Sequence, residues 1–239
     1  MVHETEGPLW PIELSELQLS QFARYYAMLV DWNERINLTG IVDRDEVYIK
    51  HFYDSLAVSN LPLWQEMVRR GARAIDIGSG AGFPGIPLAI AYPNMSFVLC
   101  DALQKRIHFL QAVCSDLGLN NVACIHGRSE DMGRDSALRG AFDVALARAV
   151  ARANVLMEYM APFLKSGGVG ICYKGPSFVH EEFDDAKRAA PTLHCRLLEP
   201  LTYELPHGLG SRALAPFIQM QPVPKAYPRR AGIPTKQPL

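Results

Sequence analysis

Ala74-Ile75-Asp76-Ile77-Gly78-Ser79-Gly80-Ala81-Gly82-Phe83-Pro84-Gly85 is a short apolar strand that ends in a carboxylate and runs into a glycine-rich turn. Glycine at every second position lets the backbone take φ > 0 and approach a ligand where any Cβ would clash. The dinucleotide fingerprint spaces its glycines Gly-x-Gly-x-x-Gly, whereas this turn reads Gly78-x-Gly80-x-Gly82, with Asp76 two residues ahead of the first. A carboxylate beside the turn repels a pyrophosphate and attracts the ammonium or sulfonium of S-adenosylmethionine, which carries no phosphate. The spacing thus favours a methionine-derived cofactor over a nicotinamide dinucleotide.

A ribose needs a second acid about 20 residues further on. Phe97-Val98-Leu99-Cys100-Asp101 supplies it, an apolar strand ending in a carboxylate placed for both ribose hydroxyls. A third strand, Val122-Ala123-Cys124-Ile125, leads into Gly127-Arg128-Ser129-Glu130, which puts Ser129 and Glu130 beside the adenine. Each of Asp101 and Glu130 taken singly also reads as a helix cap. Three acids at consecutive strand ends favour the ligand.

The chain has 239 residues, 49% of them hydrophobic, enough for one substantial α/β core with a small appendage. Five cysteines, Cys100, Cys114, Cys124, Cys172 and Cys195, form no Cys-x-x-Cys pair, and the seven histidines form no ligand cluster, so neither a disulfide nor a structural metal is expected. Met1-Val2-His3-Glu4 is acidic and no apolar run reaches membrane-spanning length, which suits a soluble cytoplasmic protein. The formal net charge is −1, but its distribution is uneven: no acid follows Glu204, while Arg212, Lys225, Arg229, Arg230 and Lys236 do. The proline-rich stretch Gln221–Arg230 cannot be helical, and reads either as a solvated tail or as a basic arm for phosphates.

Ahead of the glycine turn, Ser20–Trp32 carries an apolar helical stripe. Asp43-Arg44-Asp45-Glu46 reads as a capping box opening a second helix through Leu56, on which His51 can donate to Asp54 three residues away; this is either a local pair or a polar edge facing substrate. From Arg73 onward strands and helices alternate, as in a parallel sheet covered on both faces. The expected elements are a helix over Lys105–Leu117, a strand over Phe142–Arg148, and a helix from Asn154 to a turn at Lys165-Ser166-Gly167-Gly168. A strand over Val169–Tyr173, a helix over Val179–Ala190, and strands over Leu193–Leu198 and Leu214–Met220 complete the series.

Ligands of such sheets lie beyond the carboxyl ends of the strands. A methyl acceptor would approach from the end of the fourth strand, where Arg148 is either a structural ion-pair partner or a functional group. Ala147-Arg148-Ala149-Val150 is not the Asn/Asp-Pro-Pro-aromatic turn used on exocyclic amines, and no Pro-Cys pair offers a nucleophile for pyrimidine carbon 5. An acceptor that already holds a lone pair, such as guanine N7, needs only alignment for in-line displacement.

Trp32-Asn33 followed by Asn37-Leu38-Thr39, His51-x-x-Asp54-Ser55, Asp76-Ile77-Gly78 through Ile86-Pro87, Gly127-Arg128-Ser129-Glu130, Arg148 and Lys174-Gly175 closely resemble the bacterial 16S rRNA guanine-N7 methyltransferase family, once called glucose-inhibited division protein B. The similarity runs from Tyr25 to Tyr173, with a similar ending at Tyr227-Pro228-Arg229-Arg230. It implies a Rossmann-like class I S-adenosylmethionine-dependent methyltransferase fold: α/β, with a mostly parallel seven-stranded sheet and N-terminal helices. One domain over residues 1–239 would comprise a helical segment (15–60), the core (72–220) and a basic tail (221–239). It further implies methylation of N7 of guanine 527 in the 530 loop of 16S rRNA, within the small ribosomal subunit or its precursor, by a monomer without a dedicated base. The implied cofactor contacts are Asp76, Gly78, Gly80, Gly82, Phe83, Asp101, Leu103, Ser129, Glu130 and Arg148. Arg148 is also the catalytic candidate, and Asn37, His51, Arg128, Lys174, Arg229 and Arg230 face RNA. Lys50 stands where the family usually has arginine and Ala147 where it often has serine, so a bidentate phosphate contact and a hydroxyl are not carried over. The base could stack on Phe83, Tyr173, Phe178 or Arg148.

Overall fold

A computed structural model describes residues 9–148 and 151–239, so Met1–Glu4, and Ala149 and Val150 after the fourth strand, lie outside the described residues. Strands β1 (Arg73–Ile77), β2 (Ser96–Asp101), β3 (Val122–His126), β4 (Phe142–Arg148), β5 (Leu164–Lys174), β6 (Cys195–Leu197), β7 (Leu201–Glu204) and β8 (Ser211–Gln219) form one sheet, ordered β3-β2-β1-β4-β5-β8-β6, with β7 also on β8. The pairs from β3 to β5 are parallel, and β8 runs antiparallel to β5, β6 and β7. β6 pairs with Phe217–Gln219 and β7 with Ser211–Leu214, so these two short strands share one edge of β8 and fill the seventh position end to end. The expected mostly parallel seven-stranded sheet is therefore present, with an eighth strand because the seventh position is divided in two. The chain leaves β1 for β2 and β3 on one side and returns to β4 on the other, which opens a crevice at the carboxyl ends of β1 and β4.

Helix α1 (Glu16–Ile36) is longer than its expected stripe because Ser15 and Gln18 close a reciprocal capping box at its start. It buries Phe22, Tyr25 and Leu29, and the Tyr25 hydroxyl donates to the Ala81 carbonyl inside the glycine turn. The second helical stretch departs from expectation. Asp43 caps α2 (Arg44–Val47) by accepting from Glu46 N at 3.0 Å, but the Glu46 carboxylate pairs with Lys50 at 2.6 Å instead of reaching back. The stretch then widens into a π-helix over Tyr48–Tyr53 before α3 (Asp54–Leu56), the kind of local widening found at functional sites. Helices α4 (Pro62–Arg69), α5 (Gly85–Ala91) and α6 (Gln104–Asp116) pack with α1 on one face, while α7 (Ser129–Met132) and α8 (Ala153–Met160) pack on the other.

α8 ends at Met160, well before the expected Lys165–Gly168 turn. Pro162 has no N–H with which to continue a helix, a 3₁₀ turn over Ala161–Phe163 follows, and Leu164–Gly168 already belong to β5. The expected Val179–Ala190 helix is split at Glu182 into α9 (Phe178–Glu181) and α10 (Phe183–Ala189). β7 was not anticipated from sequence, and β6 is shorter than Leu193–Leu198. Gln221–Arg230 is non-helical as expected, but a short α11 (Ile233–Lys236) follows and the tail packs on α8, so it is not a free arm.

Gly170 of β5 faces Phe217 of β8, and a Cβ there would sit 2.1 Å from Phe217 Cζ. Gly170→Ala should destabilise the chain by about 1–3 kcal/mol through overpacking. A lowered urea midpoint, partly restored by adding Phe217→Leu, is the expected outcome; an unchanged midpoint would contradict this packing.

Candidate functional site

A cavity of about 520 Å³ opens beyond β1, β2 and β3, lined by Gly78, Gly80, Phe83, Asp101, Leu103, Arg128, Ser129, Glu130 and Arg148. Its floor is set by the glycine turn. Gly78, Gly80 and Gly82 all take positive φ, and the Gly78 and Ser79 amides both donate to the Cys100 carbonyl at 2.9 Å, tying the turn to β2. Asp101, only 4% exposed, accepts from Gly80 N at 3.0 Å and from Leu103 N at 2.9 Å, so two backbone amides fix its carboxylate at the cavity wall. Arg106 adds a 3.2 Å contact to the same carboxylate. Glu130 accepts from Ser129 Oγ at 3.2 Å and from Gly232 N at 3.0 Å.

Asp76 and Gly82 lie outside this lining. Asp76 is fully buried beneath the turn, with one carboxylate oxygen accepting from Gly85 N at 3.1 Å and the other without a partner among the described residues. Burial pushes its carboxyl up to about 7. A Cβ on Gly82 would lie 2.7 Å from both Tyr25 Oη and Ile86 Cγ1, so its bareness serves the packing of α1 against the turn. The sequence motif is one continuous string, yet residues 77–81 and Phe83 line the cavity while Asp76, Gly82 and Gly85 pack into the core.

A second cavity of about 280 Å³ is lined by Lys50, His51, Asp54, Arg148, Tyr173, Lys174, Glu182 and Arg212, and shares His51 and Arg148 with the first. Arg148, at the end of β4, donates to Asp54 Oδ2 at 3.0 Å and to the Lys50 carbonyl at 3.1 Å, and lies 3.0 Å from His51 Nδ1. The expected His51-to-Asp54 hydrogen bond is replaced by this arrangement: the guanidinium stands between them, and it outcompetes imidazole because Asp54, 3% exposed, requires a full positive charge. Tyr203 of β7 donates to the other Asp54 oxygen at 2.6 Å.

His51 Nδ1 lies 3.0 Å from the Arg148 guanidinium and 3.1 Å from the Lys50 carbonyl; arginine can only donate and that carbonyl already accepts from Arg148, so Nδ1 accepts and the proton sits on Nε2, 2.9 Å from Thr39 Oγ1. Burial and the adjacent Arg148 charge pull His51 down to about 3, so the ring is neutral at pH 7. It stacks on Phe83 at 4.5 Å between centroids, and Arg148 lies 4.8 Å from the same ring.

The remaining expected residues are scattered. Asn37, the left-handed C-cap of α1, lines neither cavity; Asn33 holds this loop through Leu38 N and Thr39 N. Lys174 lines the second cavity but is paired with Glu182 at 2.7 Å, which is also why the helix breaks at Glu182. Arg128 and Arg230 are exposed, whereas the Arg229 guanidinium is committed to fully buried Glu158 at 2.6 Å and not to solvent. Of the stacking candidates, Phe178 is core, Tyr173 lines the second cavity with its hydroxyl on the Ser55 carbonyl, Phe83 lines the first, and Arg148 lines both. Thr39, Arg106, Tyr159 and Arg212 line the cavities without having been singled out as site residues; Thr39, beside Asn37 in a quoted motif, carried the one available signal.

His51 and Asp76 act on stability in opposite directions. His51 is depressed in the folded state, so its contribution is present above about pH 6.5 and is lost as pH falls toward 3. Asp76 is raised, so its contribution is present below about pH 3.9 and is lost as pH rises toward 7. Urea midpoints measured between pH 4 and 7 should show the stability advantage of the parent over His51→Gln shrinking toward acid, and that over Asp76→Asn shrinking toward neutral. Parallel curves would contradict either assignment.

Residues 18–202 match the family model described as rRNA small subunit methyltransferase G. The small subunit methyltransferase G of Lactococcus lactis subsp. lactis (strain IL1403) is 46% identical over 228 residues, covering 95% of this chain and 94% of that protein. The Streptococcus gordonii protein of the same name is 44% identical over 229 residues, with the same coverage. Among solved structures, cofactor-bound Rv0187 from MTB superposes with a TM-score of 0.57 at 15% identity, over 88% of this chain and 100% of that one. The 16S rRNA (adenine(1408)-N(1))-methyltransferase of Catenulisporales acidiphilia with cosubstrate SAM gives 0.51 at 16% identity, over 66% and 92%. At these identities the structural likenesses establish the fold, a class I methyltransferase sheet. The sequence matches go further, and the chain belongs to the rRNA small subunit methyltransferase G family.

Proposed function

We propose that the chain transfers a methyl group from S-adenosylmethionine to N7 of guanine 527 in the 530 loop of 16S rRNA. The observation that carries the reading is the pair of cavities meeting at His51 and Arg148, one walled by the glycine turn and carboxylates, the other by cations. The first fits the cofactor: Asp101 and Glu130 are fixed acceptors for ribose and adenine, Gly80 and its neighbours leave room that a Cβ would take, and Leu103, 45% exposed, offers an apolar plate. When bound there, S-adenosylmethionine supplies a methyl group on a sulfonium, an electrophile whose leaving group is a neutral thioether.

The second cavity is where the acceptor base would sit. Lys50, Arg148, Lys174 and Arg212 outnumber Asp54 and Glu182 in its wall, which suits a nucleotide and its phosphates. Among the described residues no group in it is a free general base: Asp54 is spent on Arg148 and Tyr203, Glu182 on Lys174, and the basic nitrogen of His51 on Arg148. That suits N7, whose lone pair attacks without loss of a proton. Cations here assist by donating to O6, the neighbouring acceptor on the same edge, and leaving N7 open. Arg148 is held rigidly by Asp54 and the Lys50 carbonyl, so its charge is oriented before the base arrives. Exposed Arg128 and Arg230 are available for backbone phosphates.

Transfer of labelled methyl to small subunits lacking the modification, followed by nucleoside analysis and primer extension, should give N7-methylguanosine at position 527. Label at another base would discard the acceptor assignment. Asp101→Ala should raise the S-adenosylmethionine dissociation constant about 10- to 100-fold, since a charged acceptor to buried hydroxyls is lost; an unaltered constant in the folded variant would refute its role. Arg148→Lys keeps a charge for Asp54 and should lower kcat by about 10²-fold with little change in the urea midpoint. Equal losses in both would leave Arg148 a purely structural residue.

A further inference from the structure

We propose that the C-terminal segment 229–236 is a clamp that positions the adenosyl end of the cavity, so that cofactor affinity depends on a stretch that lies outside the sheet; this rests on the cofactor reading above. Two residues of the cavity wall are held by it. Gly232 N donates to Glu130 Oε1 at 3.0 Å, and Thr235 Oγ1 bonds the Tyr159 hydroxyl at 2.9 Å. Glu130 also accepts from its neighbour Ser129 at 3.2 Å and faces the Tyr159 hydroxyl, so the tail amide and the tail-bound Tyr159 together set which way the carboxylate faces.

The segment is itself anchored with unusual force for a basic tail. Arg229 makes a forked contact with Glu158, at 2.9 Å and 2.6 Å, and its backbone N–H donates to the same carboxylate at 2.9 Å. Glu158 is 0% exposed, so this charge must be matched, and among the described residues Arg229 alone does so. Arg139 donates from one guanidinium nitrogen to the Gly133 carbonyl at the end of α7 and the Tyr227 carbonyl in the tail, at 2.7 Å and 2.8 Å. Glu158 and Tyr159 are adjacent on α8, and Glu130 lies on α7. The tail thus spans the two helices that carry the adenosyl wall and fixes their spacing. By linkage, whatever the docked tail contributes to ligand affinity the ligand returns to tail docking.

The test uses the full chain carrying Glu158→Gln with Arg229→Gln, which removes the buried pair together and so leaves no unmatched charge, and separately Thr235→Val. Affinities for S-adenosylhomocysteine and for 5′-methylthioadenosine, which lacks the amino-acid end, are measured calorimetrically beside urea midpoints without ligand. The double variant should bind both compounds about ten-fold more weakly, and Thr235→Val about three-fold, with little change in midpoint. In the parent, S-adenosylhomocysteine should slow amide exchange over residues 230–236. Variants that keep the parent's affinity overturn the clamp alone; loss confined to RNA binding overturns it in favour of a phosphate-contacting arm. A parent chain that binds neither compound overturns the cofactor reading and the clamp with it.

Discussion

The pairing of Arg148 with Asp54 at 3.0 Å is the contact on which the site is built. A guanidinium and a carboxylate that are 13% and 5% exposed have lost most of their hydration, and hydrogen bonds from the guanidinium to the Lys50 carbonyl and His51, and from Tyr203 to the carboxylate, replace part of it. That demand gathers distant parts of the chain: the π-helical stretch brings the Lys50 carbonyl and His51, and β7 brings Tyr203. The sheet supplies the position and the ion pair supplies the reason for three otherwise independent elements to converge on it. Because Arg148 lines both cavities, the same interaction that fixes the fold locally also fixes the side chain at which the two cavities meet.

The glycine turn is constrained from both faces. Above it, Gly80 and Gly78 leave the space a ligand needs. Below it, Gly82 and Gly85 are bare because Tyr25, Ile86, Leu99 and Asp76 already occupy the positions a Cβ would take, as close as 2.2 Å at Leu99. α1 is therefore part of the turn's foundation and not an appendage, which is how a helix of the first 36 residues supports a cavity that it does not line.

Much of this was legible in the sequence where one local rule dominates. The strand ends at Asp101 and Arg148 and the left-handed glycines follow from apolar runs and turn chemistry, and the structure places them at one crevice. Roles decided by three-dimensional partners were not legible. Asp76 and Asp101 look alike at strand ends, yet one lies under the turn and the other beside it. Arg229 and Arg230 are neighbours, yet only a buried Glu158, 71 positions away, tells them apart. Glu182 broke an expected helix because Lys174 and the Ala153 amide both require its carboxylate. Tyr203 was missed because β7 is only four residues long and pairs with one strand.

The division of the outer sheet position between β6 and β7 has a bearing on solution behaviour. An uninterrupted outer strand beside β8 would offer a long ladder of free amides and carbonyls to any passing extended chain. Here that edge consists of three residues and then four, separated by a break containing Pro200. Neither piece is long enough to template a stable intermolecular ladder, so the border strand that orients Tyr203 also keeps this margin of the sheet from recruiting strands of other molecules.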